Sequence, residues 1–502
     1  MRPIEANRGP LNEIMTPSMR SLLVFIAAMT ACSTEQNTAP AAAPPPNVDE
    51  RSERPHIILI SMDTTRADAL SCYSDVNHWG LPFPEDSRPA PRTPVLDSLA
   101  IRGVRFKWAL SHAPTTLSSH TSMLSGRDPH RHQVVRNGYP VPADVPLVTE
   151  RLGDAGFDTV AVLGSSALEI KMGLNRGFRD YHDPGPQPAG GMFMLPAEEV
   201  TRRALARVDA RPDTTSPLFL FVHYYDPHMP WTFAPADIVQ TFTDPAYTGY
   251  VDGSMNSVGL LTRNRIEGTL RYGDARQARA LYLAQVAYTD QQIGVLLDGL
   301  STRGLLEDTV VMVVSDHGET LDESAVHPYT HGPEVALWDI HVPWLVRSFG
   351  DQNRVPEGVV VERPVRLLDL AATLSATADL GGAFGDGVDQ SALWTQKGTL
   401  PPTPVFAEAT KPMSRESKAA WNNLPFERSV VEGGTMARFR PMQRGLATLH
   451  QVAPGAPSID NIPLLKQQVK LLQAWDAAAP AYRPPEYDAE TEAALKALGY
   501  LE

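Results

Sequence analysis

The hydrophobic positions of this chain fall into short, unbroken runs. Residues 57–62, 159–163, 218–222, 310–314 and 342–346 are all of strand length and lack the polar alternation of a half-exposed strand. Such runs suit strands buried on both faces, as in a parallel sheet covered by helices. Helical segments lie between them. Thr93-Pro94 reads as an N-cap followed by Pro at the first helical position, Gly103 closes the segment 95–102, and another helix spans about 276–300. Strands alternating with helices predict an α/β sandwich with a mainly parallel central sheet, whose ligands bind at the carboxyl ends of strands. From about Thr399 the prolines cluster and the periodicity weakens. This predicts a smaller α+β subdomain at 399–502 after a main domain at 55–398; no internal repeats occur.

Composition and charge narrow the picture. With 502 residues, 42% hydrophobic and 20% charged, the chain can bury a large core. A net charge of -14 and the absence of any Lys/Arg run argue against a nucleic-acid partner. Two cysteines, Cys32 and Cys72, exclude a disulfide framework. Arg20 precedes an apolar run, 22–29, that is too short to span a bilayer, and Met29-Thr30-Ala31-Cys32 follows. Residues 1–32 therefore read as a signal peptide, with translation starting at Met1, Met15 or Met19. Small residues leading into a cysteine resemble a lipobox, in which Cys32 becomes lipidated; an ordinary signal peptide with an incidental cysteine is the alternative. Residues 33–54, with Ala39-Pro40-Ala41-Ala42-Ala43-Pro44-Pro45-Pro46, cannot form a core and read as an extended tether. The expectation is an exported protein of the periplasm or cell envelope, attached to a membrane through an N-terminal lipid.

Several strand ends carry chemistry. Asp63 directly follows the first strand, in Ser61-Met62-Asp63-Thr64-Thr65-Arg66-Ala67-Asp68. Alone it could equally cap a turn. A second strand ends in Ser315-Asp316-His317-Gly318-Glu319, adjacent oxygen and nitrogen donors with a glycine behind them. A third runs into Tyr224-Tyr225-Asp226-Pro227-His228, and Thr330-His331-Gly332 lies downstream. The segment Pro114-Thr115-Thr116-Leu117-Ser118-Ser119-His120-Thr121-Ser122 is a run of hydroxyls opening a helix, where amide N–H groups and the macrodipole favour an anion. A hydroxyl there, touching a metal, could act as a nucleophile.

Together these blocks resemble the sulfatase family, the sulfatase-like branch of the alkaline phosphatase superfamily. Asp63-Thr64-Thr65-Arg66-Ala67-Asp68 is similar to the family's first metal-binding strand end. Thr116-Leu117-Ser118-Ser119-His120 falls on its Cys/Ser-x-Pro-Ser-Arg signature, followed by Leu124-Ser125-Gly126-Arg127. Asp226-Pro227-His228 and Ser315-Asp316-His317-Gly318-Glu319 match two further blocks in order. Arg136-Asn137-Gly138, Gly173-Leu174-Asn175-Arg176-Gly177-Phe178, Asp369-Leu370-Ala371-Ala372-Thr373-Leu374 and Leu495-Lys496-Ala497-Leu498-Gly499-Tyr500-Leu501 extend the resemblance over nearly everything after Pro55.

The resemblance implies that Asp63, Asp316 and His317 bind a divalent metal, with Thr116 as the nucleophile on it. It places His120 beside the nucleophile in a catalytic role and His228 and Asn137 on the charged oxygens of the substrate. His331 assists the leaving group or, with Asp226, completes a second metal site. The implied activity is hydrolysis of a sulfate or phosphate-type ester, on a small-molecule, glycan or lipid-linked anionic substrate. A phosphoryl-group transferase and an inactive anion-binding or glycan-binding lipoprotein are the alternatives. Two departures matter. Thr116 cannot be oxidised to the formylglycine that sulfatases make from Cys or Ser. Thr64 and His317 stand where sulfatases tend to have Asp and Asn, which moves the metal preference from Ca²⁺ towards Zn²⁺ or Mn²⁺, in one or two ions.

Overall fold

The computed structural model describes residues 54–78, 89–185, 194–395, 400–409, 427–440, 446–452, 458–480, 489 and 492–493. The expected signal peptide with Cys32, the tether up to residue 53 and the Leu495-Lys496-Ala497-Leu498-Gly499-Tyr500-Leu501 block lie outside them. Nine strands build the main sheet: β1 His56–Met62, β2 Val104–Leu110, β3 Asp158–Leu163, β4 Asp180–His182, β5 Leu218–Tyr224, β6 Asp308–Val314, β7 His341–Val342, β8 Trp344–Gly350 and β9 Val359–Arg366. They lie in the order β4-β3-β5-β1-β6-β8-β2-β7, with β9 also against β2. The run β4 to β6 is parallel throughout, whereas β8 is antiparallel to β6 and β2. The sheet is thus mainly parallel, as expected.

The run 342–346 does not form one strand. Pro343 has no N–H to give a ladder, so the chain breaks there into β7 and β8. β2 was hidden in the sequence because Arg105 and Lys107 alternate with its apolar residues.

Helices cover both faces of the sheet: α1 Pro94–Ile101, α2 Thr116–Ser125, α3 Ala197–Asp209, α4 Tyr272–Ser301 and α5 Asp369–Thr377. Alternation along β1 assigns the two layers. Ile58, Ile60 and Met62 pack with Leu96, Val200, Tyr282 and Ile293 of α1, α3 and α4. Ile57 and Leu59 pack with Leu117, Met123, Leu370 and Leu374 of α2 and α5. Thr93 does not cap α1 with its side chain; the Asp290 carboxylate of α4 accepts from Val95 N at 3.2 Å and Leu96 N at 2.8 Å instead. A tertiary carboxylate has replaced the local cap, an exchange that sequence spacing does not show.

After a short ribbon, β10 Ala383–Phe384 and β11 Gly387–Val388, comes a four-stranded antiparallel sheet: β12 Val405–Ala409, β13 Glu427–Glu432, β14 Thr435–Arg440 and β15 Leu446–Gln451. Helix α6, Ile462–Ala477, packs on it through Leu472 against Val430, Ala437 and Leu449.

Candidate active site

Three neighbouring strands end side by side. Ser61 of β1 pairs with His223 of β5 and with Val314 of β6, so the residues after β1 and β6 emerge together at the carboxyl edge. Asp63 and Asp316-His317 are those residues. Thr64 turns the chain with a left-handed φ of 51°, which a β-branched residue adopts only where its surroundings hold it. Here its N–H donates to Asp316 Oδ1 at 3.2 Å, and its carbonyl accepts from the Tyr282 hydroxyl of α4 at 2.9 Å. The same hydroxyl accepts from Arg66 N at 3.0 Å, and the buried Arg66 guanidinium pairs with Asp68 and Glu323.

Helix α2 begins at Thr116 and is buried along its whole length despite its hydroxyls. Burial is tolerable because Ser118, Ser119 and Thr121 find acceptors, although Ser125 Oγ has no partner. Ser118 donates to Val134 O at 2.5 Å, Thr121 to Leu117 O at 2.7 Å, and Ser119 to Asp316 O at 2.7 Å, which ties the helix to the end of β6. Gly126 ends the helix at φ 65°, where an added Cβ would lie 2.6 Å from Phe384 O. Asn137 Oδ1 accepts from Leu117 N at 2.8 Å, satisfying one amide of the first turn.

His120 is fully buried, one turn beyond Thr116. Its Nδ1 donates to Thr116 O at 2.7 Å, so Nε2 is left to accept from Ser61 Oγ at 3.0 Å. Both nitrogens are engaged and burial holds the pKa well below its usual value. His120 thus stands behind Thr116, hydrogen-bonded to its carbonyl and to Ser61.

Around Thr116 the buried polar atoms are left unpaired. Among the described residues, both Asp63 oxygens, Asp316 Oδ2, His317 Nε2 and both ring nitrogens of His223 have no aligned hydrogen-bond partner. Yet they crowd together. His317 Nε2 lies 3.4 Å from Asp316 Oδ2 and 4.0 Å from Asp63 Oδ1, and His223 Nε2 lies 3.2 Å from Asp63 Oδ2. His317 Nδ1 donates to Gly318 O at 2.9 Å, which fixes the tautomer whose Nε2 lone pair faces the acids. Buried donors that converge without pairing are costly unless a cation joins them. Asp63, Asp316 and His317 form one set of metal-ligand spacing, and His120, His223 and Asp316 another. Burial pushes the Asp63 and Asp316 carboxyls well above their usual range, and Asp63 raises Asp316 further. Burial lowers His317 well below its usual value and His223 to about 3. The set of oxygens and neutral imidazoles fits a divalent cation such as Zn²⁺ or Mn²⁺.

Over this cluster stand two more histidines. The His228 ring stacks on Tyr225 at 4.3 Å and donates Nδ1–H to Met229 O at 2.5 Å; its centroid is 4.9 Å from that of His331. His331 lies 4.6 Å from the His317 ring and reaches Glu319 Oε1 at 3.3 Å. Burial alone would lower its pKa, but Glu319, Asp63 and Asp316 outweigh burial and raise it.

Asp226 is not brought into this group. Its Oδ1 accepts from Ala197 N at 2.9 Å, capping α3, and no ligand set among the described residues contains it. Its other oxygen, Oδ2, is buried without a hydrogen-bond partner. His223 and Glu319 were not singled out from the sequence. His223 sits inside an apolar strand with no motif around it, and only its register opposite Ser61 betrays it.

The fold and the site define a class: an α/β sandwich whose strand ends converge a hydroxyl, two carboxylates and imidazoles on one point. The Sulfatase family model matches residues 55–380. The chain belongs to the sulfatase family, within the alkaline phosphatase superfamily. It is 26% identical over 370 residues to the ulvan-active sulfatase of Formosa agariphila, covering 68% of this chain and 65% of that protein. It is 23% identical over 353 residues to human iduronate 2-sulfatase, covering 60% and 61%. The chain thus spans under two thirds of the length of each. Among solved structures, the phosphonate monoester hydrolase of Silicibacter pomeroyi shares the fold with a TM-score of 0.62 at 19% identity, over 86% of this chain and 96% of that one.

Proposed function

We propose that this chain is an exported, divalent-metal-dependent hydrolase of anionic phosphorus or sulfur esters, with Thr116 as its nucleophile. The observation that carries the reading is the Thr116 hydroxyl at the N-terminus of α2, beside the unpaired cluster of Asp63, Asp316 and His317. These three would hold the cation with Thr116. When bound, such a cation lowers the pKa of a nearby hydroxyl and neutralises charge on the ester oxygens.

The rest follows from the residues. Thr116 Oγ attacks the central atom in line with the leaving oxygen, while the free amides of the first turn of α2 and the Asn137 amide face the charged oxygens; His228, whose Nδ1–H goes to Met229 O, holds an ester oxygen only with a second proton on Nε2. His331, kept protonated by Glu319, gives its Nε2 proton to the leaving oxygen as that bond breaks. Its neutral Nε2 then takes a proton from the water that attacks the Thr116 ester; the Thr116–ester bond breaks, and the departing Thr116 alkoxide recovers from solvent the proton that its hydroxyl gave up to solvent before the first attack. Thr116 carries no second hydroxyl through which a hemiacetal could collapse, so release must come from attack at the central atom. Water attacks phosphorus more readily in this way, which favours phosphodiesters or phosphonate monoesters over sulfates. The phosphonate monoester hydrolase of the same fold supports this chemistry, and the ulvan-active relative supports a glycan-linked substrate.

No helix among the described residues is long and apolar enough to cross a membrane; attachment would rest on a lipid at Cys32. The test is steady-state kinetics of the metal-loaded protein on paired aryl esters. A higher kcat/KM for the phosphonate monoester or phosphodiester than for the matching sulfate is expected, and preferred turnover of the sulfate would overturn this substrate assignment.

A further inference from the structure

We propose that Arg438, on β14 of the C-terminal sheet, is a positioning residue for His331. The inference rests on reading His331 as the acid for the leaving group. The chain between Gly318 and Ile340 leaves the ligand pair and carries both Glu319 and His331 over the site. Its first half is fastened to the main domain, where Arg66 donates to Glu319 O at 3.3 Å and Arg279 pairs with Asp322; within the segment, Thr320 and Thr330 exchange backbone hydrogen bonds at 3.2 and 3.1 Å.

Its second half is fastened to the C-terminal sheet. Glu334, three residues after His331, is buried. Its Oε1 accepts from Ser324 Oγ at 2.9 Å and His327 Nδ1 at 3.0 Å, and its Oε2 from Arg438 at 3.1 Å. Arg438 also donates to Glu427 Oε2 at 2.8 Å, an oxygen that accepts from Val335 N at 3.1 Å as well. Arg440 closes the network on Glu427 Oε1 at 3.1 Å. Breaking a buried network of this kind leaves uncompensated charge, so the segment must shift to recover water or partners.

The link to His331 is short. Only Gly332 and Pro333 separate it from Glu334. Gly332 is held at φ 102° beside the Thr115 methyl, and the proline ring fixes its own φ. A displacement of Glu334 therefore reaches the imidazole rather than dissipating in a loop. The ligands Asp63, Asp316 and His317 are set by the ends of β1 and β6 and by α2, and the strap meets them at Gly318 N, which donates to Asp339 O at 2.7 Å.

A change that misplaces an acid should hurt esters with poor leaving groups most, because a good leaving group needs little protonation. The experiment compares the metal-loaded full chain with Arg438→Met on aryl phosphonate monoesters bearing p-nitrophenol or phenol as leaving group. Elemental analysis gives bound metal in both. The variant should lose about tenfold or more in kcat on the phenyl ester and little on the p-nitrophenyl ester, with metal content unchanged. The double variant His331→Ala/Arg438→Met should be no slower than His331→Ala alone. Equal loss on both esters, or losses that multiply in the double variant, would overturn the proposal. If His331→Ala itself responds equally on both esters, the acid role of His331 has failed, and the positioning claim falls with it. Should Arg438→Met not fold, Glu427→Gln, which keeps an oxygen for Val335 N but removes the charge, carries the same comparison.

Discussion

Loading of the cation should be coupled to protons, with a sign and size that follow from the site. Burial holds Asp63 and Asp316 above the usual carboxylate range, and the proximity of the two carboxylates opposes ionising both. With the Asp63 carboxyl pushed up to about 8, the cation-free pair should keep at least one proton near pH 6. His317 and His223 are already neutral, because burial lowers both, and release none. A cation needs both carboxylates ionised, so binding must expel those protons. Apparent affinity should then rise about tenfold or more per unit between about pH 6 and 7. Stability follows the same linkage. Above about pH 4 the unfolded carboxyls have lost protons that the native cation-free site retains, so the cation-free protein loses stability as pH rises towards neutrality. Stabilisation by added cation should therefore grow over that range. Chelator competition at several pH values gives the slope, and calorimetry in two buffers of different ionisation enthalpy counts the protons. An affinity independent of pH, with no proton released, would refute the reasoning.

Other expectations concern single residues. Asp316→Ala and His317→Ala should each lower bound metal measured by elemental analysis; full metal in both would show that the ligand set is misassigned. Asn137→Asp keeps the oxygen that accepts from Leu117 N, so it should melt close to the parent while its kcat/KM falls about tenfold or more, a second anion now facing the ester. Asn137→Ala loses the cap as well and should cost about 1 kcal/mol in unfolding measurements; an Asp variant no more stable than the Ala variant would contradict the capping role. Cys32→Ser should move the protein from the membrane to the soluble fraction of fractionated cells, and unchanged membrane association would exclude the lipid anchor.

What could be read from the sequence was what local pattern encodes. β1, β3, β5 and β6 are apolar on both faces and announce themselves, and Asp63, Asp316 and His317 sit at the strand ends where a parallel sheet binds ligands. The run of hydroxyls marked the opening of α2 as a place for an anion, and only the resemblance to the sulfatase family singled out Thr116 within it. What escaped depends on tertiary pairing. The cap of α1 comes from Asp290, nearly 200 residues away in sequence. His223 becomes part of the site only because β5 lies beside β1. Asp226 looked like a ligand by position, and the start of α3 takes one of its two oxygens. His120 occupies the place of the signature arginine beside the nucleophile, and its contacts with Ser61, the Thr116 carbonyl and the neighbouring His223 and Asp316 depend on β1, β5 and β6 lying together.

Intact-mass analysis of protein acid-quenched during turnover of an aryl phosphonate monoester tests the Thr116 assignment directly. The Thr116-bearing peptide should carry the mass of the transferred phosphonyl group in the parent chain. It should carry none in Thr116→Ala, which should fold at a cost of about 1 kcal/mol and have no activity. An unmodified peptide in the turning-over parent, together with undiminished activity in Thr116→Ala, would show that water and not Thr116 makes the attack.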